Sequence, residues 1–333
     1  MAIKFGIVGA GNIARKFAQA LNVCDDAQFY AISSRSIEKA NEFAENYGAD
    51  IAYGSYDELI NDENVDIIYI AILNHEHMNL AKKSILASKA VICEKPLGLD
   101  YDEIKEVIDL AREKSVLFME ALWTRFLPPY QMAQKWIEDG MIGEVKMVNA
   151  NFGSKIDDQD PESRLFNKSV GGGALFDVGC YCVAGCMDML GDTPISIQSI
   201  SKMNDMGVDE LAIVNMEFST GKFAQMMFGF SIPSKQDLII YGTKGLIEID
   251  RFWATKKATR YDDKGNILDV IEDDTDNGFI YEIKEMCRLF AIGAIESEIS
   301  THNKSMNCAN IIDELKRQLY QEGNKDFENR WRK

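Results

Sequence analysis

The run Val91-Ile92-Cys93-Glu94-Lys95-Pro96 delivers a carboxylate and an ammonium group from an apolar, strand-like stretch into a proline-broken turn. In open α/β sheets ligands bind beyond the carboxyl ends of the strands, so a charged pair placed there meets a ligand rather than the core. Taken alone, Glu94 and Lys95 read more readily as a solvated turn after a buried strand, which is an ordinary surface feature. The start of the chain shifts that balance. Directly after its first strand-like run comes Gly9-Ala10-Gly11-Asn12-Ile13-Ala14, opening a helix. Glycines there permit a tight turn and close backbone approach to a pyrophosphate, whose charge meets the helix N-terminus; the small Ala14 lets helix and strand pack closely. Gly9, Gly11, Asn12 and Ile13 are therefore expected to hold a dinucleotide. A glycine turn without ligand and a nucleoside site of methyltransferase type are the alternatives.

The end of the second strand bears on which nicotinamide cofactor is preferred. NAD sites usually place an acid there for the ribose 2′-hydroxyl. This chain reads Ser33-Ser34-Arg35-Ser36 instead. A hydroxyl beside a guanidinium suits a 2′-phosphate, so Ser34 and Arg35 predict NADP(H) over NAD(H), with Lys39 one turn later able to share the contact. The competing account has Arg35 capping a surface turn.

Elements that must position these groups alternate from Lys4 to Glu120. Phe5–Val8, Phe29–Ser33, Val65–Leu73, Ala90–Cys93 and Val116–Met119 read as strands, with helices expected over Ile13–Leu21, Ile37–Tyr47, Glu76–Ser88 and Tyr101–Lys114. Asp100 is a candidate N-cap with Glu103 three residues on. Such alternation predicts a doubly wound parallel sheet with helices on both faces. After Leu122 the rhythm changes. A helical stretch runs to Asp139, a strand covers Val145–Phe152, and a helix opened by glycines covers Leu175–Leu190. Strands then follow over Glu210–Phe218, Phe223–Phe230, Asp237–Tyr241 and Leu246–Ile249, joined by turn pairs such as Thr220-Gly221 and Lys244-Gly245, which suits an antiparallel sheet. Helices return at Phe279–Ile292 and Asn307–Gln321. The expected division is a dinucleotide-binding α/β domain over residues 1–122 and a second α/β domain over 123–333.

Composition narrows the partners. Lys and Arg total 36 against 53 Asp and Glu, a formal net charge of −17, which opposes binding to nucleic acid or to anionic membranes. The N-terminus starts with a strand pattern rather than a targeting segment, and no uninterrupted apolar run reaches membrane-spanning length. Seven cysteines without ligand spacing and only three histidines, His75, His77 and His302, predict reduced thiols, a cytoplasmic location and no metal.

With its glycine fingerprint, the run Ala71-Ile72-Leu73-Asn74-His75-Glu76-His77 and then Cys93-Glu94-Lys95-Pro96, the chain resembles the Gfo/Idh/MocA oxidoreductase family. Ala121-Leu122-Trp123-Thr124-Arg125-Phe126 and Gly171-Gly172-Gly173-Ala174-Leu175-Phe176-Asp177-Val178-Gly179-Cys180-Tyr181 are similar to its dihydrodiol dehydrogenase and glucose-fructose oxidoreductase branch. The resemblance covers essentially the full length. It implies a Rossmann domain followed by an α/β domain with a large open antiparallel sheet, a homo-oligomer (dimer or tetramer) using that sheet, and hydride transfer between nicotinamide and a sugar, sugar-derived carbonyl or diol.

By the same resemblance, Ala71, Leu73, Asn74 and His77 belong to the nicotinamide-side loop, His77 beginning the helix beneath it. Lys95 would be the active-site lysine and Tyr181 the proton donor or acceptor. Lys95 is expected to stabilise the Tyr181 phenolate and draw its pKa toward working range. Glu94 would orient Lys95 or a ribose hydroxyl, and Asp177, one helical turn before Tyr181, would face the same crevice. Trp123, Arg125, Arg164 and Asp177 are candidate substrate contacts. Alternatives stay open: Trp123 as filler of the domain seam, Arg164 and Asn167 as surface-loop residues, Asp177 as a helix-start acid, Tyr181 as a buried helix residue. The sequence departs from the inositol dehydrogenase pattern, which has histidine at Tyr181; it also carries Leu73 for a usual proline and Ser88 for a usual glycine. A nucleotide sensor of the same fold that performs no turnover is the competing function.

Overall fold

Strand and helix alternate through β1 (Ile3–Val8), α1 (Asn12–Leu21), β2 (Ala27–Ser33), α2 (Ile37–Tyr47), β3 (Ile51–Tyr53), α3 (Tyr56–Ile60), β4 (Ile67–Ile70), α4 (His77–Leu86), β5 (Ala90–Glu94), α5 (Tyr101–Lys114) and β6 (Phe118–Ala121). The computed structural model describes residues 2–320. The six strands form one sheet in the order β3-β2-β1-β4-β5-β6, every neighbouring pair parallel. Order reverses between β1 and β4, so the crevice lies beyond the carboxyl ends of those two strands. Helices cover both faces, which is why β4 and β5 are buried along their whole length and read as continuous apolar runs.

The caps follow the sequence signals. The Asp100 carboxylate accepts the Asp102 and Glu103 amides at the start of α5, and Ser36 accepts the Lys39 amide at the start of α2. Short β3 and α3 escaped the pattern reading, having too few residues to establish a period. The strand expected over Val65–Leu73 is confined to β4, since Asn74–Glu76 form a helical turn ahead of α4. Ser88, at φ 59°, occupies the left-handed turn between α4 and β5, a conformation in which glycine carries no Cβ penalty.

The remainder comprises α6 (Pro128–Glu138), β7 (Val145–Gly153), a π-helical turn at Leu175–Gly179 continuing into α7 (Cys180–Leu190), then β8 (Pro194–Met203), β9 (Asp209–Phe218), β10 (Phe223–Gly229), β11 (Leu238–Gly242), β12 (Gly245–Asp250), β13 (Lys257–Asp262), β14 (Ile267–Glu272), α8 (Phe279–Ala291) and α9 (His302–Tyr320). Eight of these strands make a second sheet, β14-β13-β12-β11-β7-β10-β9-β8. Its pairs are antiparallel except β7 with β10. The parallel pair arises because α7, β8 and β9 intervene between the two strands, so the chain re-enters the sheet in the same direction.

One face of this sheet, including Val148, Ile240, Val214 and Met226, is buried with Cys182, Val183 and Cys186 of α7 and Leu315 of α9 in a single core. The helical stretch Lys168–Leu190 is long and apolar enough to cross a membrane by length and composition, yet 89% of it is buried inside the protein. It is the core helix of the second layer. The opposite face carries Phe223, Met147, Tyr241 and Leu246 aligned in one cross-strand row.

Near its end the chain returns to the first sheet: Phe279, Ile283 and Met286 of α8 pack with Phe5, Phe17 and Ile32. α9 begins at His302, earlier than expected. Gln321, the last residue expected in that helix, and the rest of the span to 333 lie outside the described residues.

Candidate active site

Backbone geometry at the β1–α1 turn follows from its glycines. Gly9 has φ +106°, and a Cβ there would lie 2.4 Å from the Ala71 carbonyl oxygen at the end of β4. No other residue fits without displacing that strand. Gly11, by contrast, is the N-cap of α1, provides no side-chain cap, and a Cβ on it would meet nothing within 4 Å. The first amides of α1 therefore face open space with the helix dipole behind them, a place for a pyrophosphate. Asn12 is exposed and Ile13 half-buried on that first turn. The residues present thus fit a dinucleotide.

At the end of β2, Ser34 is buried and Arg35 exposed, with Tyr56 of α3 beside the guanidinium. Lys39 is exposed and contributes its amide to the α2 cap. On the far side of β1, Ala71 and Leu73 end the β4 segment, and Asn74 reaches across to donate to the Gly171 carbonyl at 3.3 Å. A loop of the first sheet is thereby tied to the glycine triplet.

Lys95 projects from the β5 turn, whose Lys95–Pro96 peptide is cis. Its ammonium donates to the Asp177 carbonyl at 2.8 Å, lies 3.5 Å from the Asp177 carboxylate, and sits 4.7 Å from the centroid of the Tyr181 ring. Asp177 also accepts from Arg164 at 2.8 Å. The turn of β5 and the start of α7, far apart in sequence, converge here. Burial opposes the charge on Lys95, but the Asp177 carboxylate and Glu94 beside it outweigh that cost, so the lysine is held above its ordinary value. Burial likewise opposes ionisation of Asp177, yet Lys95 and Arg164 keep its carboxyl below the usual range. Glu94, by burial, is pushed up to about 7 despite accepting from the Tyr69 hydroxyl at 2.5 Å and the Lys95 amide at 3.2 Å.

Tyr181 departs from expectation in one respect. Burial raises its pKa above the ordinary tyrosine value, and Lys95 offsets this only in part. The phenol therefore keeps its proton across the neutral range, rather than being poised between its two forms.

Aromatic side chains surround that phenol. The Trp123 indole N–H donates to the Tyr181 hydroxyl at 3.3 Å while its ring stacks on Phe279 at 4.7 Å. Trp253, in the short turn after β12, stands edge-on to Trp123 at 6.2 Å and stacks on Phe152 at 5.2 Å. Trp123 therefore serves both as a wall beside Tyr181 and as seam filler. Trp253, Phe152, Phe279 and Tyr56 were missed by sequence reasoning. A tryptophan in the connection after a strand was the available signal for Trp253; the others read as ordinary core positions.

Two expected site residues, Arg125 and His77, are placed elsewhere. Arg125 is 1% exposed, its guanidinium held by Asp188 at 2.9 Å, Ser300 at 3.2 Å and Glu120 at 3.6 Å. All its donors face the interior, so it joins β6, α7 and the approach to α9 and does not meet a substrate. His77 is fully buried, one ring nitrogen 2.9 Å from the Pro96 carbonyl and the other 3.2 Å from that of Ile72. It pins the β4 loop to the β5 turn and is sealed from a cofactor. Asn167 caps a short helical turn by accepting the Ser169 amide at 3.0 Å.

A six-stranded dinucleotide fold with an open glycine cradle, joined to an antiparallel-sheet domain whose acid and tyrosine meet the lysine of the β5 turn, defines an NAD(P)-binding oxidoreductase. Residues 3–122 match the Gfo/Idh/MocA oxidoreductase family, NAD-binding Rossmann fold, and residues 130–248 match the Gfo/Idh/MocA C-terminal domain. The chain belongs to the Gfo/Idh/MocA family and is a dehydrogenase or reductase acting on hydroxyl groups. It is 33% identical over 328 residues to trans-1,2-dihydrobenzene-1,2-diol dehydrogenase of Xenopus laevis, covering 96% of this chain and 98% of that one. Among solved structures, levoglucosan dehydrogenase in complex with NADH and levoglucosan superposes with TM-score 0.86 at 20% identity, covering 96% of this chain and 97% of that one. A 3-ketoreductase from Actinomadura kijaniata in complex with NADP and TDP-benzene gives TM-score 0.85 at 22% identity, covering 96% and 98%. These two share the fold.

Proposed function

We propose that this enzyme transfers hydride between NADP(H) and a hydroxyl-bearing carbon of a small sugar, sugar-derived carbonyl or diol, with Tyr181 as proton donor or acceptor and Lys95 as its charged neighbour. The observation that carries this reading is the convergence of Lys95, Asp177 and Tyr181 at the seam of the two sheets. The bound nicotinamide supplies or accepts the hydride. Gly9, Gly11, Asn12 and Ile13 would hold the pyrophosphate, with Ala71, Leu73, Asn74 and Glu94 on the nicotinamide side. In the reductive direction Tyr181 donates its proton to the oxygen as negative charge develops there, and the Lys95 ammonium stabilises that charge. Asp177 holds Lys95 in place through its carbonyl and carboxylate. Trp123 and Trp253 offer flat faces for a ring, while Asp177 and Arg164 supply polar contacts for its hydroxyls. The relatives named as diol and levoglucosan dehydrogenases support this substrate class.

Lys95→Met and Tyr181→Phe test the reading. Both should bind cofactor with affinity within a few-fold of the parent and lose turnover by about 100-fold or more; parental rates in both would refute the assignment. Preference for NADP(H) rests on Arg35 and Ser34 at the end of β2, where no acid is available for a 2′-hydroxyl. Seven buried free thiols support a reducing, cytoplasmic compartment, which cell fractionation tests.

Self-association through the open sheet face is part of the same proposal. Phe223 is 50% exposed and shares its row with Met147, Tyr241 and Leu246, an apolar stripe that a second copy would cover. Light scattering should report a dimer or tetramer, and Phe223→Glu should shift it toward monomer; a monomeric parent would remove this part of the reading.

A further inference from the structure

Behind the Lys95 turn lies a second acid that the mechanism above does not use. Glu282, on α8, is fully buried, and neither of its carboxyl oxygens has a hydrogen-bond partner among the described residues. Its charged neighbour is Glu94, and the Tyr69 hydroxyl feels both. Around them stand Phe17, stacked on Tyr69 at 3.6 Å, and Phe279, one turn before Glu282 and edge-on to Phe17 at 6.3 Å. Among the described residues no other charge reaches the group. On α8 itself Glu285 turns to Arg288; from the turn before α6 Arg125 turns to Asp188; Arg15 and Lys16 of α1 are exposed.

Two carboxylates confined in one apolar compartment do not both ionise. The hydrogen bonds decide which keeps its proton. Glu94 accepts from the Tyr69 hydroxyl and the Lys95 amide, and the lysine ammonium is adjacent. Glu282 accepts from nothing, and an ionised carboxylate buried without a donor is strongly disfavoured.

We propose that Glu282 is a positioning residue for the catalytic turn: a carboxylic acid that stays neutral in its dry compartment and so leaves the pair with one negative charge, on Glu94 beside Lys95. The raised pKa of Glu282 agrees with this placement. Its consequence for turnover rests on the reading of Lys95 as catalytic; the location of the proton does not.

The test separates the two. Infrared difference spectra of the full-length protein at pH 7.5, parent against Glu282→Gln, should show a protonated-carboxyl C=O band in the parent that shifts in D2O and is missing from the variant. No such difference overturns the proposal, whatever the fate of Lys95. For function, Glu282→Gln replaces a neutral acid by a neutral amide that can still donate. It should leave NADPH affinity, turnover and the acid limb of the kcat/KM profile close to the parent. Glu282→Leu removes the polar neighbour from the compartment and should move that limb upward by about one pH unit, a tenfold change in the Glu94 ionisation constant. A downward shift of that size in Glu282→Gln would reveal a lost negative charge, and a parental profile in Glu282→Leu would show no positioning role; either result overturns the proposal. The infrared comparison stands even if Glu282→Leu fails to fold.

Discussion

The Lys95 ammonium lies over the face of the Tyr181 ring, 4.7 Å from its centroid, and is anchored from the same helix by the Asp177 carbonyl at 2.8 Å. Lysine and tyrosine are thus held by one short stretch of backbone, and neither can move relative to the other without breaking that anchor.

This pairing makes the two directions of the reaction differ in pH dependence. Burial raises the Tyr181 pKa, so the phenol form prevails through the neutral range and beyond the ordinary tyrosine value. Reduction, which needs the proton, should stay flat on its alkaline side, whereas oxidation, which needs the phenolate, should rise with pH up to at least about pH 10. Profiles of kcat/KM measured both ways check this; a fall in reduction setting in near neutral pH would contradict it.

Buried acids and buried histidines pull stability in opposite directions between mildly acid and neutral pH, since burial also holds His77 and His302 below the ordinary imidazole value. Burial raises Glu94 to about 7 and Asp209 to about 6, and raises Glu282 as well. Each binds its proton more tightly folded than unfolded. Their contribution is therefore complete below the unfolded carboxyl pKa of about 4 and is lost as pH rises through the folded values. The thermal midpoint of the parent relative to that of Glu282→Gln, measured from pH 5 to pH 8 at constant ionic strength, should therefore fall. A difference that climbs over this range would disagree.

Cofactor choice is tested at Arg35. Arg35→Ala should weaken NADPH by about 10-fold or more while changing NADH by less than about 3-fold, since a charge-assisted contact to the 2′-phosphate is worth about 1.5–3 kcal/mol. Equal losses in fluorescence titrations with the two cofactors would remove the 2′-phosphate assignment.

Arg125 should behave as a structural residue. Arg125→Met leaves Asp188 buried without its cation and should cost about 3–5 kcal/mol in denaturant unfolding. Replacing Asp188 by Leu in the same chain should restore part of that loss. A large KM effect in a fully folded Arg125→Met protein would instead return the residue to the substrate site.

Trp253 is expected to act on substrate through its face. Trp253→Ala should raise KM by about 5- to 10-fold, in keeping with an aromatic contact of about 1 kcal/mol, and leave cofactor affinity unchanged. Unaltered KM across sugars and diols would place the ring outside the substrate's reach.

The glycine fingerprint, the alternating first-domain rhythm, the cap at Asp100 and the charged turn after β5 were all legible in the sequence, because each depends on residues within one or two turns of one another. Local physics sets them: a left-handed φ at Gly9 or an amide to satisfy at the start of α5 needs no distant partner. The resemblance then supplied Tyr181 and Asp177 as partners for Lys95. Tertiary structure alone decided what depends on burial and on which side chains meet. It turned Arg125 inward to Asp188, set His77 between two backbone carbonyls, and brought Trp253 and Phe152 beside the tyrosine. It also fixed the sense of the shift at Tyr181, where desolvation outweighs the neighbouring ammonium. Glu282 lies 188 positions from Glu94 by residue number, and only the return of α8 to the first sheet puts two acids in one dry compartment, where one of them must keep its proton.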